Sequence, residues 1–134
     1  MPERKKVTIC ASIKFTDEIA EWKKKLEQDG YEVIQYPKKL SGEFLPSYEK
    51  EFSEHYQKIC NSDIVLALNY TKKGVDGYIG AAVFAEIAFA IGLNRTYRQA
   101  NNIEVFHVNP IADSLPHREE LQFWQDLEWL KIWK

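Results

Sequence analysis

Glu86 is the only charged side chain between Asp76 and Arg95, in the run Gly80-Ala81-Ala82-Val83-Phe84-Ala85-Glu86-Ile87-Ala88-Phe89-Ala90-Ile91-Gly92. The run is apolar on every side and predicts a fully buried helix. One turn from Glu86 stand Ala82, Val83, Phe89 and Ala90, so its carboxylate must be paired, protonated or put to use. It is therefore the first candidate functional residue; a buried carboxylate satisfied by a local hydroxyl, an amide or Tyr78 is the competing reading. The three histidines offer less. His55 falls on a helix face, His107 within a strand and His117 in a loop, and no Ser/His/Asp or metal constellation assembles by spacing. Cys10 and Cys60 lack a CxxC or Cys/His ligand pattern, which predicts buried free thiols in a reducing compartment. No metal and no cofactor are expected.

The elements that must position Glu86 follow from the apolar pattern. Val7-Thr8-Ile9-Cys10-Ala11 suits a strand buried on both faces. Thr16 is placed to cap a helix whose first turn carries Asp17 and Glu18 and whose Phe15, Ile19, Trp22 and Leu26 recur at helical spacing up to Asp29-Gly30. Tyr31–Tyr36 reads as a second strand, and Tyr48, Phe52, Tyr56 and Ile59 mark one face of a second helix. Asp63–Leu68 is the clearest strand, with Asp63 itself read as a turn or capping residue. A loop with Gly74, Gly77 and Gly80 then opens onto the helix of Glu86, and Ile103–Val108 supplies a fourth strand. This alternation predicts an α/β fold, a flavodoxin-like or Rossmann-like three-layer sandwich with a mostly parallel sheet of four or five strands.

In such a sheet ligands bind beyond the carboxyl ends of the strands, near the reversal of strand order. That rule nominates Ser12 and Lys14 after the first strand, Asn69, Asp76 and Tyr78 after the third, and Asn109 after the fourth as substrate-binding residues. The glycine spacing of the third loop is neither a dinucleotide fingerprint nor a P-loop. It reads as a flexible loop over a ligand or as a plain connection.

The 134 residues, 45% hydrophobic and 28% charged, predict a single domain over 1–134. A net charge of -2 and scattered basic residues argue against nucleic-acid binding. No apolar run is long enough to cross a bilayer, and Met1-Pro2-Glu3-Arg4-Lys5-Lys6 leads into a strand without a signal-peptide core, so a cytoplasmic location without membrane contact is expected. Segment 116–134, with Phe123, Trp124, Leu127, Trp129, Leu130, Ile132 and Trp133, carries more aromatic surface than one terminal helix needs. A homo-oligomer, dimer or larger, through this segment is one reading and an ordinary core helix the other.

Three stretches, Ile9-Cys10-Ala11-Ser12, Ser62–Ala67 and Phe84-Ala85-Glu86-Ile87-Ala88-Phe89-Ala90 after a glycine-rich loop, resemble the nucleoside 2-deoxyribosyltransferases and their deoxynucleoside monophosphate N-glycosidase relatives. The resemblance implies that Glu86 is the nucleophile that attacks the anomeric carbon of a 2-deoxyribose and expels the base. A covalent glycosyl-enzyme would then be resolved by another base or by water. It also implies a nucleoside or nucleotide as partner, no cofactor, and sites completed by a neighbouring subunit. Where the transferases carry an acid six positions before the glutamate, this chain has Gly80, and its nearest acid is Asp76. A non-catalytic nucleotide-binding or sensing module of the same fold is the alternative.

Overall fold

The computed structural model describes residues 3–98 and 101–134; Met1 and Pro2, read above as leading into the first strand, lie outside them. In chain order the elements are β1 (Lys6–Cys10), α1 (Thr16–Gln28), β2 (Glu32–Gln35), α2 (Phe44–Cys60), β3 (Ile64–Ala67), α3 (Ala81–Thr96), β4 (Glu104–His107), α4 (Arg118–Asp126) and β5 (Lys131–Ile132). The strands form one five-stranded sheet in the order β2-β1-β3-β4-β5, with every pair parallel. This is the α/β three-layer, flavodoxin-like arrangement expected from the sequence, and the strand order reverses beside β1. Among the described residues no helix is long and apolar enough to cross a membrane.

Burial of β1 and β3 on both faces divides their side chains by parity. Val7 and Ile9, with Ile64, Leu66 and Leu68, meet Ile19 and Leu26 of α1. Cys10, Val65 and Ala67 point the other way, into the core built with Ile59 of α2, Ile87, Ala90 and Ile91 of α3, and Leu121 of α4. One helix therefore covers one face and three cover the other. The single-helix face is completed by aromatic rings: Trp133 lies edge-on to Trp22, Tyr31 and Phe106, with centroids 6.4, 5.6 and 5.0 Å away.

Several local expectations change. Thr16 does not cap α1; its hydroxyl donates to the Ile13 carbonyl at 3.0 Å, one turn back, and Phe15 occupies the cap position. Asp63 accepts the backbone N–H of Lys6 at 2.8 Å and so ties β3 to β1 instead of capping a helix. The aromatic tail is not one helix. After α4 it turns at Glu128, whose φ is 61°, and adds β5 to the open edge of β4. Its Leu121, Leu130, Trp124, Trp129 and Trp133 pack on the chain's own two cores, while Phe123 and Leu127 stay exposed. The surplus of aromatic surface is thus largely accounted for within the chain.

His107, at the end of β4, is buried, with Nδ1–H donating to the Asn109 carbonyl at 2.7 Å and Nε2 accepting from the Gln125 amide at 3.1 Å. Burial pushes its pKa down, against a smaller opposing effect of the Asn109 bond. The unfolded chain therefore binds this proton more readily, so the contribution is fully present above the unfolded value of about 6.5 and is lost as the pH falls below it. Urea denaturation at pH 8 and pH 5.5 should show lower stability in acid, with a slope from this residue of at most about 1.4 kcal/mol per pH unit. The slope should be shallower in His107→Gln.

Candidate active site

The parity of β1 brings Cys10 beneath the groove between α2 and α3, and each helix adds one polar side chain there. On α2 the buried positions are His55 and Ile59, four residues apart and hence one above the other. On α3 Glu86 precedes the buried Ile87 and lies at the margin of the core, with its side chain 15% exposed. The three meet. Cys10 Sγ is 3.5 Å from His55 Nε2, and His55 Nε2 is 3.4 Å from Glu86 Oε1.

The neighbouring hydrogen bonds set the proton positions. Gln35, buried at the end of β2, uses one amide N–H on Glu51 Oε1 at 3.1 Å and presents the same nitrogen to His55 Nδ1 at 3.4 Å, while its carbonyl accepts from Lys38 Nζ at 3.4 Å. With an amide donor at Nδ1, the imidazole carries its proton on Nε2, which faces Cys10 Sγ and Glu86. Burial, then the charge of Glu86 and a hydrogen bond to it, push the Cys10 thiol well above its ordinary range. The thiol therefore stays protonated and also donates to Glu86. Tyr56 is pushed up to about 12, first by burial and then by Glu86, so its phenol is neutral.

Glu86 and His55 open onto a cavity of about 470 Å³ beyond the carboxyl ends of β1 and β2. Its walls are Tyr48, Phe52 and Tyr56 from α2 and Ala81, Ala82 and Ala85 from α3, with Lys38 and Glu51 at the polar end. The rings of Phe44, Tyr48, Phe52 and Tyr56 follow one another at centroid distances of 5.8, 5.8 and 4.4 Å. The Tyr48 and Phe52 rings on the marked face of α2 are 48% and 46% exposed. One expectation is corrected here, because α3 is not buried all round: Ile87, Ala90 and Ile91 face the core, whereas Ala81, Ala82 and Ala85 are exposed along the cavity.

Of the residues nominated for substrate binding, Ser12 and Tyr78 line a second, smaller cavity of about 170 Å³ at the start of α3, which shares Ala11, Ala81 and Ala82 with the first. There Lys72 Nζ donates to Ser12 Oγ at 3.0 Å and lies 5.7 Å from the Tyr78 ring centroid. Lys14 is exposed and lines neither cavity. Asn69 and Asn109 are engaged with each other. The Asn69 side chain accepts the backbone N–H groups of Val108 and Asn109 at 3.0 and 2.9 Å and donates to the Asn109 carbonyl at 2.7 Å, clamping the ends of β3 and β4 together. Asp76 accepts from Thr71 Oγ1 at 2.6 Å within its own loop. That loop is held down at Gly77, where φ is +72° and an added Cβ would lie 1.9 Å from the Pro110 carbonyl oxygen, a position open to glycine alone.

Cys10, His55, Gln35, Lys38, Glu51 and Lys72 were not singled out by sequence. The available signal was His55 at the buried spacing from Ile59. The expectation that no metal-type constellation assembles holds for spacing along the chain but not in space, because ligand atoms of Cys10, His55 and Glu86 all lie within 4.8 Å of one another. Likewise only Cys10 is a buried thiol; Cys60, at the end of α2, is exposed. Compared with known proteins, the chain matches no family model and no curated protein.

The contrast between the two thiols is directly measurable. Titration with an aromatic disulfide reagent at pH 8 should modify one cysteine rapidly in the native protein and two after denaturation. Mass mapping should place the fast adduct on Cys60.

Proposed function

We propose that the protein is an N-glycosyl-bond enzyme acting on a nucleoside or nucleotide, with Glu86 as nucleophile. The observation that carries this reading is the position of Glu86 on the wall of a cavity flanked by aromatic rings, beyond the carboxyl ends of the strands and beside the strand-order reversal. A base stacks on rings such as Tyr48 and Phe52 irrespective of its identity, because every base has a π-face. With the base there, a sugar beside it faces Ala82, Ala85 and Glu86. Attack by the carboxylate on the anomeric carbon breaks the N-glycosidic bond, the base leaves with its electron pair and takes a proton, and the glycosyl ester is released by a second base or by water. Cys10 and His55 are positioning residues in this scheme, since both lie against the carboxylate and limit its rotamers.

The adjoining cavity favours a nucleotide over a nucleoside. Lys72, Ser12 and the first backbone amides of α3 offer positive charge and donors one cavity away from Glu86, suited to an anionic group such as a 5-phosphate. The acid expected before the helix in the transferases is Gly80 here, and an added Cβ at Gly80 would lie 3.2 Å from the Tyr78 ring, so Tyr78 occupies the space beside that position.

The second reading, a nucleotide-sensing module, is favoured by one observation: the Glu86 carboxylate already lies against Cys10 and His55. Incubation with deoxynucleosides and deoxynucleoside monophosphates, followed by chromatography for free base, separates the two. Base release that falls at least about 10³-fold in Glu86→Gln, with the thermal transition preserved, is the enzymatic outcome. Thermal stabilisation by nucleotides with no free base identifies the sensor. In either case Lys72→Ala should weaken binding of a monophosphate by roughly tenfold or more, the worth of one charged hydrogen bond, and leave the matching nucleoside unchanged.

A further inference from the structure

The Cys10, His55 and Glu86 cluster has a second capacity that the glycosyl chemistry does not use. A tetrahedral zinc ion with bonds of ordinary length sets its sulfur and nitrogen ligands about 3.6 Å apart and its nitrogen and oxygen ligands about 3.3 Å apart. The corresponding separations are 3.5 Å for Cys10 Sγ to His55 Nε2 and 3.4 Å for His55 Nε2 to Glu86 Oε1, and all three atoms fall within 4.8 Å of one another. The ligands come from β1, α2 and α3, all ordered elements packed on one core, so the triangle is set by the fold and not by a mobile loop. We infer that Cys10, His55 and Glu86 form a three-ligand site for a thiophilic divalent cation, zinc by its donor set and spacing, with the fourth position open to the large cavity.

Charge and proton balance support the assignment. With the ion bound, one thiolate, one carboxylate and a dication sum to zero, which suits a buried place. The thiol proton leaves to solvent as the sulfur–metal bond forms, because a coordinated thiol is deprotonated outright. His55 must free Nε2 by carrying its proton on Nδ1 instead, and the Gln35 amide nitrogen then withdraws from Nδ1 while keeping its bond to Glu51. His55 and Glu86 line the cavity and give the ion its entry. Donors of one sulfur, one nitrogen and one oxygen suit zinc better than calcium or magnesium, which take oxygen ligands. An ion held there engages the Glu86 carboxylate and excludes its use as a nucleophile, so metal binding and glycosyl transfer are alternative states of one residue.

Cobalt(II) titration of the metal-free protein tests the site without reference to any activity. One equivalent should produce the intense visible bands of a four-coordinate ion and a thiolate-to-cobalt charge-transfer band, release one proton, and be displaced by one equivalent of zinc. Cys60→Ser should leave these signals unchanged and Cys10→Ser should abolish the charge-transfer band. His55→Ala and Glu86→Gln should each lower zinc affinity, measured against a chromogenic chelator, by more than the roughly 10–100-fold that loss of an outer partner costs. Absence of the four-coordinate spectrum overturns the proposal, as does a charge-transfer band that survives Cys10→Ser or disappears in Cys60→Ser. Should Cys10→Ser fail to fold by circular dichroism, Glu86→Gln decides alone: wild-type zinc affinity in that variant refutes the site.

Discussion

Burial of β1 and β3 on both of their faces is the constraint from which the rest of the molecule follows. Because successive side chains of a strand alternate in direction, Val7 and Ile9 are committed to the α1 side and Cys10 to the side of α2 and α3. Shifting the register of β1 by one residue would exchange the two sets and remove the thiol from the cluster. The parallel pairing of Cys10 with Ala67, and the Leu68 N–H bonded to the Cys10 carbonyl at 2.9 Å, fix that register at the rim where the site lies. The polar cluster at Glu86 thus depends on the register of a strand in the adjacent layer.

The cavity shows why a helix can be apolar all round without being buried. An interior helix needs apolar neighbours on every side, but α3 has only one core face, toward Ile87, Ala90 and Ile91. Its other apolar face, Ala81, Ala82 and Ala85, consists of the smallest side chains and stands across an open space from the α2 rings. Small residues on one wall and large rings on the other make a slot. Where the slot meets the core, His55 is satisfied by Cys10 and Gln35 and stands 3.4 Å from Glu86 at the boundary.

The layer architecture, the parallel sheet and the prominence of Glu86 were legible in the sequence because each rests on local periodicity. Alternating strand and helix signals dictate right-handed crossovers, and one charge in a long apolar run stands out by itself. The rest of the site was not legible, for a definite reason. His55 and Cys10 reach Glu86 from two other elements, Gln35 backs His55 from a third, and nothing in their spacing along the chain records that convergence. Asn69 and Asn109 were correctly placed at the strand ends, yet residues at that rim serve equally to bind ligands and to close the sheet, and these two satisfy each other. The tail left two readings open, an oligomer surface and a core helix, because composition does not record where rings pack. Its Trp133 completes the sheet face that has a single helix.

The ring cluster around Trp133 ties residues about a hundred positions apart, since Trp22 and Tyr31 come from the first helix and the approach to the second strand. Loop-closure entropy over such a span must be met before the contact contributes, and contacts of this separation slow folding. The α1 face of the sheet is thus complete only when the last residues of the chain dock on elements from its start. The Trp133 indole is a natural reporter of that closure.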